Sequence, residues 1–472
     1  MSRESKLVKN TLILSIGTFF PKFAAFITLP ILTKYLSKSD FGIYDIIITL
    51  VSLVLPVATL QIQTAAFRFL IEIKNNEEEV RKIVSTIFIF IFPTSIGALV
   101  ILYFCLFKLS VTLRLLICGY FFADIVVNAA RQVARGIHKN MDYSFSAIIS
   151  AACKIIFVFL LVMFLKMELI GAVIALGLSS LFSLLFLMIK TKMFRYIKFE
   201  YANTATLKSL LSYSWPLIPN SMSLWVMNMS DRLVITSFMG TAANAIYAAA
   251  YKVPSMITLA QNTFTMAWQE SASIASKDSD ANKYYSDMFK QIFNLLAGFM
   301  GLIIGCTPLL FKILIQGDYS ESYPQMPILF MGLFFSCLSS FLGGLYIAYK
   351  ATKSVGITTI IAAAINLVID LILIKFIGIY AASISTLVSY IFLFSFRMID
   401  IRKFVKIRIN VVHMLSILMV LVVQCILCFM QITALNVINI TVGIIFFIVL
   451  NKGLLKTILN KAKSMLTNKH KI

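Results

Sequence analysis

The sequence predicts an all-α polytopic membrane protein of about fourteen transmembrane helices, arranged as two pseudo-symmetric six-helix lobes plus two C-terminal helices. Three observations predict it. Of 472 residues, 60% are hydrophobic and 13% charged, where a soluble globular chain averages about 45 to 50% and about 25%; the mean hydropathy is +0.91. Apolar runs of the roughly 20 residues that cross a hydrocarbon core alternate with short polar breaks. Lysine and arginine crowd every second break.

The elements follow in order. MSRESKLVKN leads into more than twenty apolar-dominated residues with no small-residue cleavage site, so span 1 (8–32) is expected to be retained, unlike a signal peptide. Spans 2 to 6 are read at 41–66, 83–107, 111–134, 143–165 and 168–189. The polar loop KTKMFRYIKFEYANTATLK, residues 190–208, then interrupts the pattern. Spans 7 to 12 are read at 213–237, 242–268, 289–315, 325–349, 355–374 and 377–397, and the last two at 410–430 and 433–451.

With the N-terminus assigned to the cytoplasm, the inner segments hold 31 lysines and arginines and the outer loops 7. Short cytoplasmic loops are enriched in these residues, so both termini of this multi-pass chain are expected in the cytoplasm. The same bias explains the net charge of +22. Nucleic acid is not an expected partner, because the basic residues lie between apolar runs and not on a folded basic face.

The chain also repeats. A shift of 203 residues pairs Thr33 with Thr236, Ile43 with Ile246 and Tyr44 with Tyr247; a shift of 207 pairs Ile170, Gly171 and Ala175 with Ile377, Gly378 and Ala382, and Lys190 with Arg397. Spans 1–6 thus overlie spans 7–12 in the same orientation, the parallel repeat that puts a transport path between two rocking lobes. The expected division is an N-terminal lobe over 1–200, a C-terminal lobe over 201–405, and spans 13 and 14 with a basic cytoplasmic tail over 406–472.

Enzyme chemistry has no foothold here. Cys425 and Cys428 have the spacing of a redox or metal motif, but they sit in LVVQCILCFMQ without a second pair and read as packing. Gly-rich phosphate loops, nucleophile elbows and His-Glu-x-x-His are missing from the sequence, so no catalytic residue, metal or organic cofactor is expected.

Charges inside the spans are the informative residues. The four basic ones are Lys22, Lys154, Arg232 and Lys252, and Asp124 lies mid-span in YFFADIVVNAARQ. A midplane lysine costs roughly 2.5 to 3.5 kcal/mol while each leucine returns about 0.3 to 0.6, so such groups are expected to face water or one another. Lys154 reads either as an ion pair with Asp124 or as a cavity residue; Arg232 reads as snorkelling, as a local arrangement with Asp231, or as facing the path. Lys22 and Lys252 have no acid within a helical turn and lie beside Pro21 and Pro254. Prolines release backbone groups and kink helices, which suits a cavity wall. If the two lysines meet between the lobes, they make a positive, water-filled chamber fit for an anion.

SYSWPLIPNSMSLWVMNMSDRLVITSFMGTAANAIYAAAYKV, residues 212–253, resembles the seventh and eighth spans of the bacterial polysaccharide exporters that flip lipid-linked oligosaccharides. The likeness lies in the Pro-x-x-Pro opening, the Asp-Arg pair, the glycine near the span end and the Ile-Tyr entry to the next span. AAAINLVIDLILIKFIGIYAASISTLVSY resembles the eleventh and twelfth, with Asn366 and Gly378 in familiar places. The wider superfamily also holds multidrug extrusion proteins and the lipid II flippase. The resemblance implies flipping of an undecaprenyl-pyrophosphate-linked repeat unit for O-antigen (lipopolysaccharide), capsule or exopolysaccharide by alternating access. It implies membrane lipids, a polysaccharide polymerase and other assembly proteins as partners. Lys22 and Lys252, with Lys154 and Arg232, would then line the pyrophosphate cavity, and Asp124 or Asp231 would bind H+ or Na+. The alternatives are a cation-coupled multidrug antiporter and a lipid II flippase. Lys22 and Lys252 match two of the three spans on which the latter carries cavity arginines, whereas span 2 here has no mid-span base.

Overall fold

The computed structural model describes residues 3–73, 76–276, 278–453 and 455–456, with side chains described for all of these except 3–16, 18, 259, 260, 262–264, 266, 267, 270 and 352. The basic tail beyond residue 456 lies outside the described residues. All regular elements among the described residues are helical. The first nine are α1 (Arg3–Tyr35), α2 (Lys38–Ala58), α3 (Ile62–Leu70), α4 (Glu77–Cys105), α5 (Val111–Gly136), α6 (Asn140–Phe157), α7 (Glu168–Thr191), α8 (Thr204–Ser214) and α9 (Leu217–Met239). Then come α10 (Thr241–Lys252), α11 (Ile257–Ala275), α12 (Ala281–Leu314), α13 (Met326–Ala348), α14 (Thr352–Ile377), α15 (Tyr380–Asp400), α16 (Val411–Met430) and α17 (Thr433–Leu450).

Helix starts follow from local chemistry. Ser37 accepts from Asp40 N at 3.0 Å and Asn410 from His413 N at 3.0 Å, each satisfying a first-turn amide that no carbonyl reaches. Asn76 caps α4, whose first turn carries Glu77, Glu78 and Glu79 against the positive end of the helix dipole.

All fourteen expected spans are occupied by helix, and among the described residues eleven helices are long and apolar enough to cross a membrane. The three expected spans outside that set are α1, α9 and the pair α10 and α11. Their sequences carry Lys22, Arg232 and Lys252.

Three spans expected as single rods are not. Span 2 is broken between α2 and α3, where Leu60 and Gln61 take φ of 46° and 56°. Span 8 is broken at Pro254, which lacks an N–H and opens one 3-10 turn, Pro254–Met256. Span 5 leaves α6 through a π-helical segment, Val158–Phe164. Pro216 separates α8 from α9, whereas Pro21 and Pro30 are accommodated inside an unbroken α1.

Two compact units form, Met1–Ala245 with Leu314–Gly317, and Ile246–Ile313 with Asp318–Ile472. Within the first unit α9 packs on α2. In the first unit α7 packs on α5 and α6, and α1 runs along α6. In the second, α13 is central: it packs on α15, α11 and α16, and 83% of its apolar window is buried. For α17 that share is 11%, so its apolar surface faces outward, as a lipid-facing helix requires.

Candidate functional site

The Asp-Arg pair on α9 resolves into a contact with α2. Arg232 Nε lies 2.8 Å from Asp45 Oδ2, and both side chains are nearly fully buried. This is an ion pair across two helices, where sequence analysis offered a local arrangement with Asp231. Asn244 on α10 donates to Asp45 Oδ2 at 3.4 Å and to the Gly42 carbonyl at 3.2 Å. Ser39 and Thr241 hydroxyls meet at 2.8 Å. The helices can approach this closely only because residue 42 is glycine: a Cβ there would stand 1.8 Å from the Thr241 carbonyl oxygen. One polar layer therefore ties α2, α9 and α10 together. Asp231 is itself buried, at 3% exposure.

The cations fall differently. Lys22, half-buried on α1, makes no side-chain hydrogen bond or ion pair among the described residues. Lys154 on α6 does not pair with Asp124; its ammonium lies 5.9 Å from the Tyr44 ring centroid, within cation–π range. Tyr44 is buried, and its hydroxyl has no hydrogen-bond partner. Lys154 thus faces the α2 surface one residue from Asp45. Lys252 is half-buried at the last turn of α10, two residues before Pro254, and belongs to the second unit.

Asp124 on α5 accepts from Asn128 at 3.1 Å and from Ser180 on α7 at 3.4 Å. About two turns further on, Arg131 donates to the Ser146 hydroxyl at 3.1 Å and to Ser183 at 2.9 Å, tying α5 to α6 and α7. Arg397 does the same in the second unit: buried at 4% exposure, it donates to Thr358, Thr359 and the carbonyls of Ser339 and Val355. Neither arginine was singled out as a site residue from sequence. The signal lay in the runs GLSSLFS and GITTII, whose hydroxyls are poor lipid-facing groups but good partners for a buried donor. Asp370 on α14 was also missed. It is fully buried, one turn from Asn366, which donates to Ser385 at 3.3 Å.

Among the described residues no group of three or more His, Cys, Asp or Glu converges as metal ligands would. Cys425 and Cys428 are buried on α16, contacting the Pro327 carbonyl and the Tyr323 hydroxyl respectively.

A bundle of apolar helices that spends many of its buried polar groups on helix-to-helix ties defines a polytopic all-α membrane fold. The model for the polysaccharide biosynthesis protein family matches residues 7–269, more than half the chain, and the protein belongs to that family. It is similar to the lipid II flippase MurJ in its inward closed conformation, with 17% identity and a TM-score of 0.71 over 95% of this chain and 100% of that one. It is also similar to a multidrug resistance MATE family transporter in its inward-facing conformation (13% identity, TM-score 0.63, 83% and 95% covered) and to a MATE protein in complex with MaL6 (14%, 0.59, 84% and 96%). No curated protein matches the chain by sequence. The fold is shared with these solved flippase and transporter structures.

Proposed function

We propose that this protein flips undecaprenyl-pyrophosphate-linked oligosaccharide repeat units from the cytoplasmic to the outer leaflet, for O-antigen, capsule or exopolysaccharide synthesis. The observation that carries the reading is Lys22: a half-buried ammonium on a membrane helix, with no acid paired to it, in a polysaccharide biosynthesis family member. An unpaired cation at that depth is costly unless a ligand or water meets it. In this reading Lys22 and Lys252 take the pyrophosphate, Lys154 and Arg232 border the path, and the polyprenyl chain stays in lipid. A lysine offers a point charge in place of an arginine's bidentate fork, enough for a diphosphate. Asp124, Asp231 and the buried Asp370 are the carboxylates available to carry H+ or Na+ for the return step. The setting is the bacterial inner membrane, with both termini cytoplasmic and a polysaccharide polymerase among the partners.

The test replaces Lys22 and Lys252 with Gln and follows lipid-linked oligosaccharide by leaflet. Losing charge-assisted contacts of about 1.5 to 3 kcal/mol each should cut outer-leaflet appearance about ten- to a hundredfold for either single change, and more for the pair, with insertion intact. Unchanged export overturns the assignment. The second reading, a cation-coupled multidrug antiporter, draws on the buried carboxylate Asp231 of α9; it expects dye efflux on overexpression that Asp231→Asn abolishes, with surface polysaccharide untouched. A lipid II flippase is less favoured, since span 2 has no mid-span base where that reading wants one.

A further inference from the structure

We propose that the second unit carries a binding site for the headgroup of an anionic phospholipid at the N-terminal ends of α12 and α16. A cavity of about 590 Å³ opens there. Its rim holds Lys283, Lys290 and Arg408, together with Asp280 and Asp287. Among the described residues none of these three cations is in an ion pair with either acid, although Lys283 and Asp287 stand four residues apart on one helix. The cations are exposed and available to an outside anion.

The cavity is framed and not a loose surface dent. The segment leading into α16 is stapled onto α12: Asn282 Oδ1 accepts from Lys406 N at 2.9 Å, and Ser286 Oγ accepts from Arg408 N at 2.9 Å. This fixes the backbone from which Arg408 projects. Deeper in, His413 Nε2 lies 3.1 Å from Asn294 Oδ1. The floor is apolar, made by Phe289 and Phe293, which are 3% and 2% exposed, and by Met414.

Chemistry and position select the ligand class. Both helices are long and apolar enough to cross a membrane, and their apolar spans begin beside the cavity, near residues 289 and 410, so the cavity stands at the level where headgroups sit. A phosphate diester satisfies the rim through charge-assisted hydrogen bonds while its acyl chains stay in the bilayer against the adjoining apolar spans. A free phosphate or pyrophosphate shares the first chemistry but has no chains to anchor it there, so the two sources are separable. The site does not rest on the flipping reading: it needs only that the chain be in a membrane.

The experiment uses the full chain purified from bacterial membranes. Native mass spectrometry after exchange into mixed phosphatidylglycerol and phosphatidylcholine micelles should show retained phosphatidylglycerol, and Lys290→Gln with Arg408→Gln should lower that occupancy about tenfold. Lys190→Gln with Lys192→Gln, equal in charge removed but far along the chain, should leave it unchanged. In the unaltered protein, phosphatidylglycerol should raise the melting temperature where phosphatidylcholine and inorganic pyrophosphate do not. The proposal is overturned by equal retention in the cavity variant, by an equal loss in the control variant, or by an equal shift with pyrophosphate. The leaflet assay on Lys22 and Lys252 reads out separately, so either inference can fail without the other.

Discussion

Asp45 and Arg232 show how far one side chain can redirect the meaning of another. With both nearly fully buried and 2.8 Å apart, neither is tolerable without its partner. Asp45→Ala should destabilise the protein by about 3 to 5 kcal/mol, because an uncompensated guanidinium remains in a dry layer. Asp45→Leu combined with Arg232→Met should be milder than either single change, as replacing a whole buried pair with apolar volume often is. Melting temperatures in detergent across the double-mutant cycle check this; additive single effects contradict a direct pair. Half of the pair was visible in sequence, since an arginine inside a span demands an explanation. The other half was not, because no one-dimensional pattern says that residue 45 lies against residue 232.

At the scale of elements, Gly42 decides how α2 meets α10. A methyl group there has no room against the Thr241 backbone, and backbone does not rotate away as a side chain would. Gly42→Ala should therefore push the helices apart, break the Asn244 hydrogen bond to the residue 42 carbonyl, and destabilise by about 1 to 3 kcal/mol. Cross-linking between cysteines placed at Ser39 and Thr241, in a background without native cysteines, should fall sharply in that variant; undiminished cross-linking counts against the close approach. Helix existence was legible throughout, because hydrophobic run length is a strong signal in a membrane chain. Helix continuity was less so. Pro254 did mark a break, but Pro21 and Pro30 did not, and the turn at Leu60 and Gln61 came in a run with no proline or glycine beside it. Proline raises the cost of a straight helix without fixing whether the chain bends or absorbs the missing hydrogen bond.

For the whole molecule, charge asymmetry is the controlling fact. The spans read from sequence put 31 basic residues in one set of connecting segments and 7 in the other, and the positive-inside bias then assigns the first set to the cytoplasm, the proposed orientation. A cysteine introduced at Lys166 should react with an impermeant maleimide added to intact spheroplasts, and one at Lys198 only after the membrane is opened. The reverse pattern removes the cytoplasmic assignment of both termini. Sequence similarity between halves does not report which helix a linker-adjacent span packs on; here α9 sits on α2.

The interruption at Pro254 carries a mechanical consequence. Across it Met256 N bonds to Val253 O, and Ile257 N reaches Pro254 O and Ser255 O, so no regular four-residue ladder continues from α10 into α11. Two rods joined by such a coupler flex with less resistance than one unbroken rod of equal length. The interruption stands two residues from Lys252, so bending the rod there re-aims the charge.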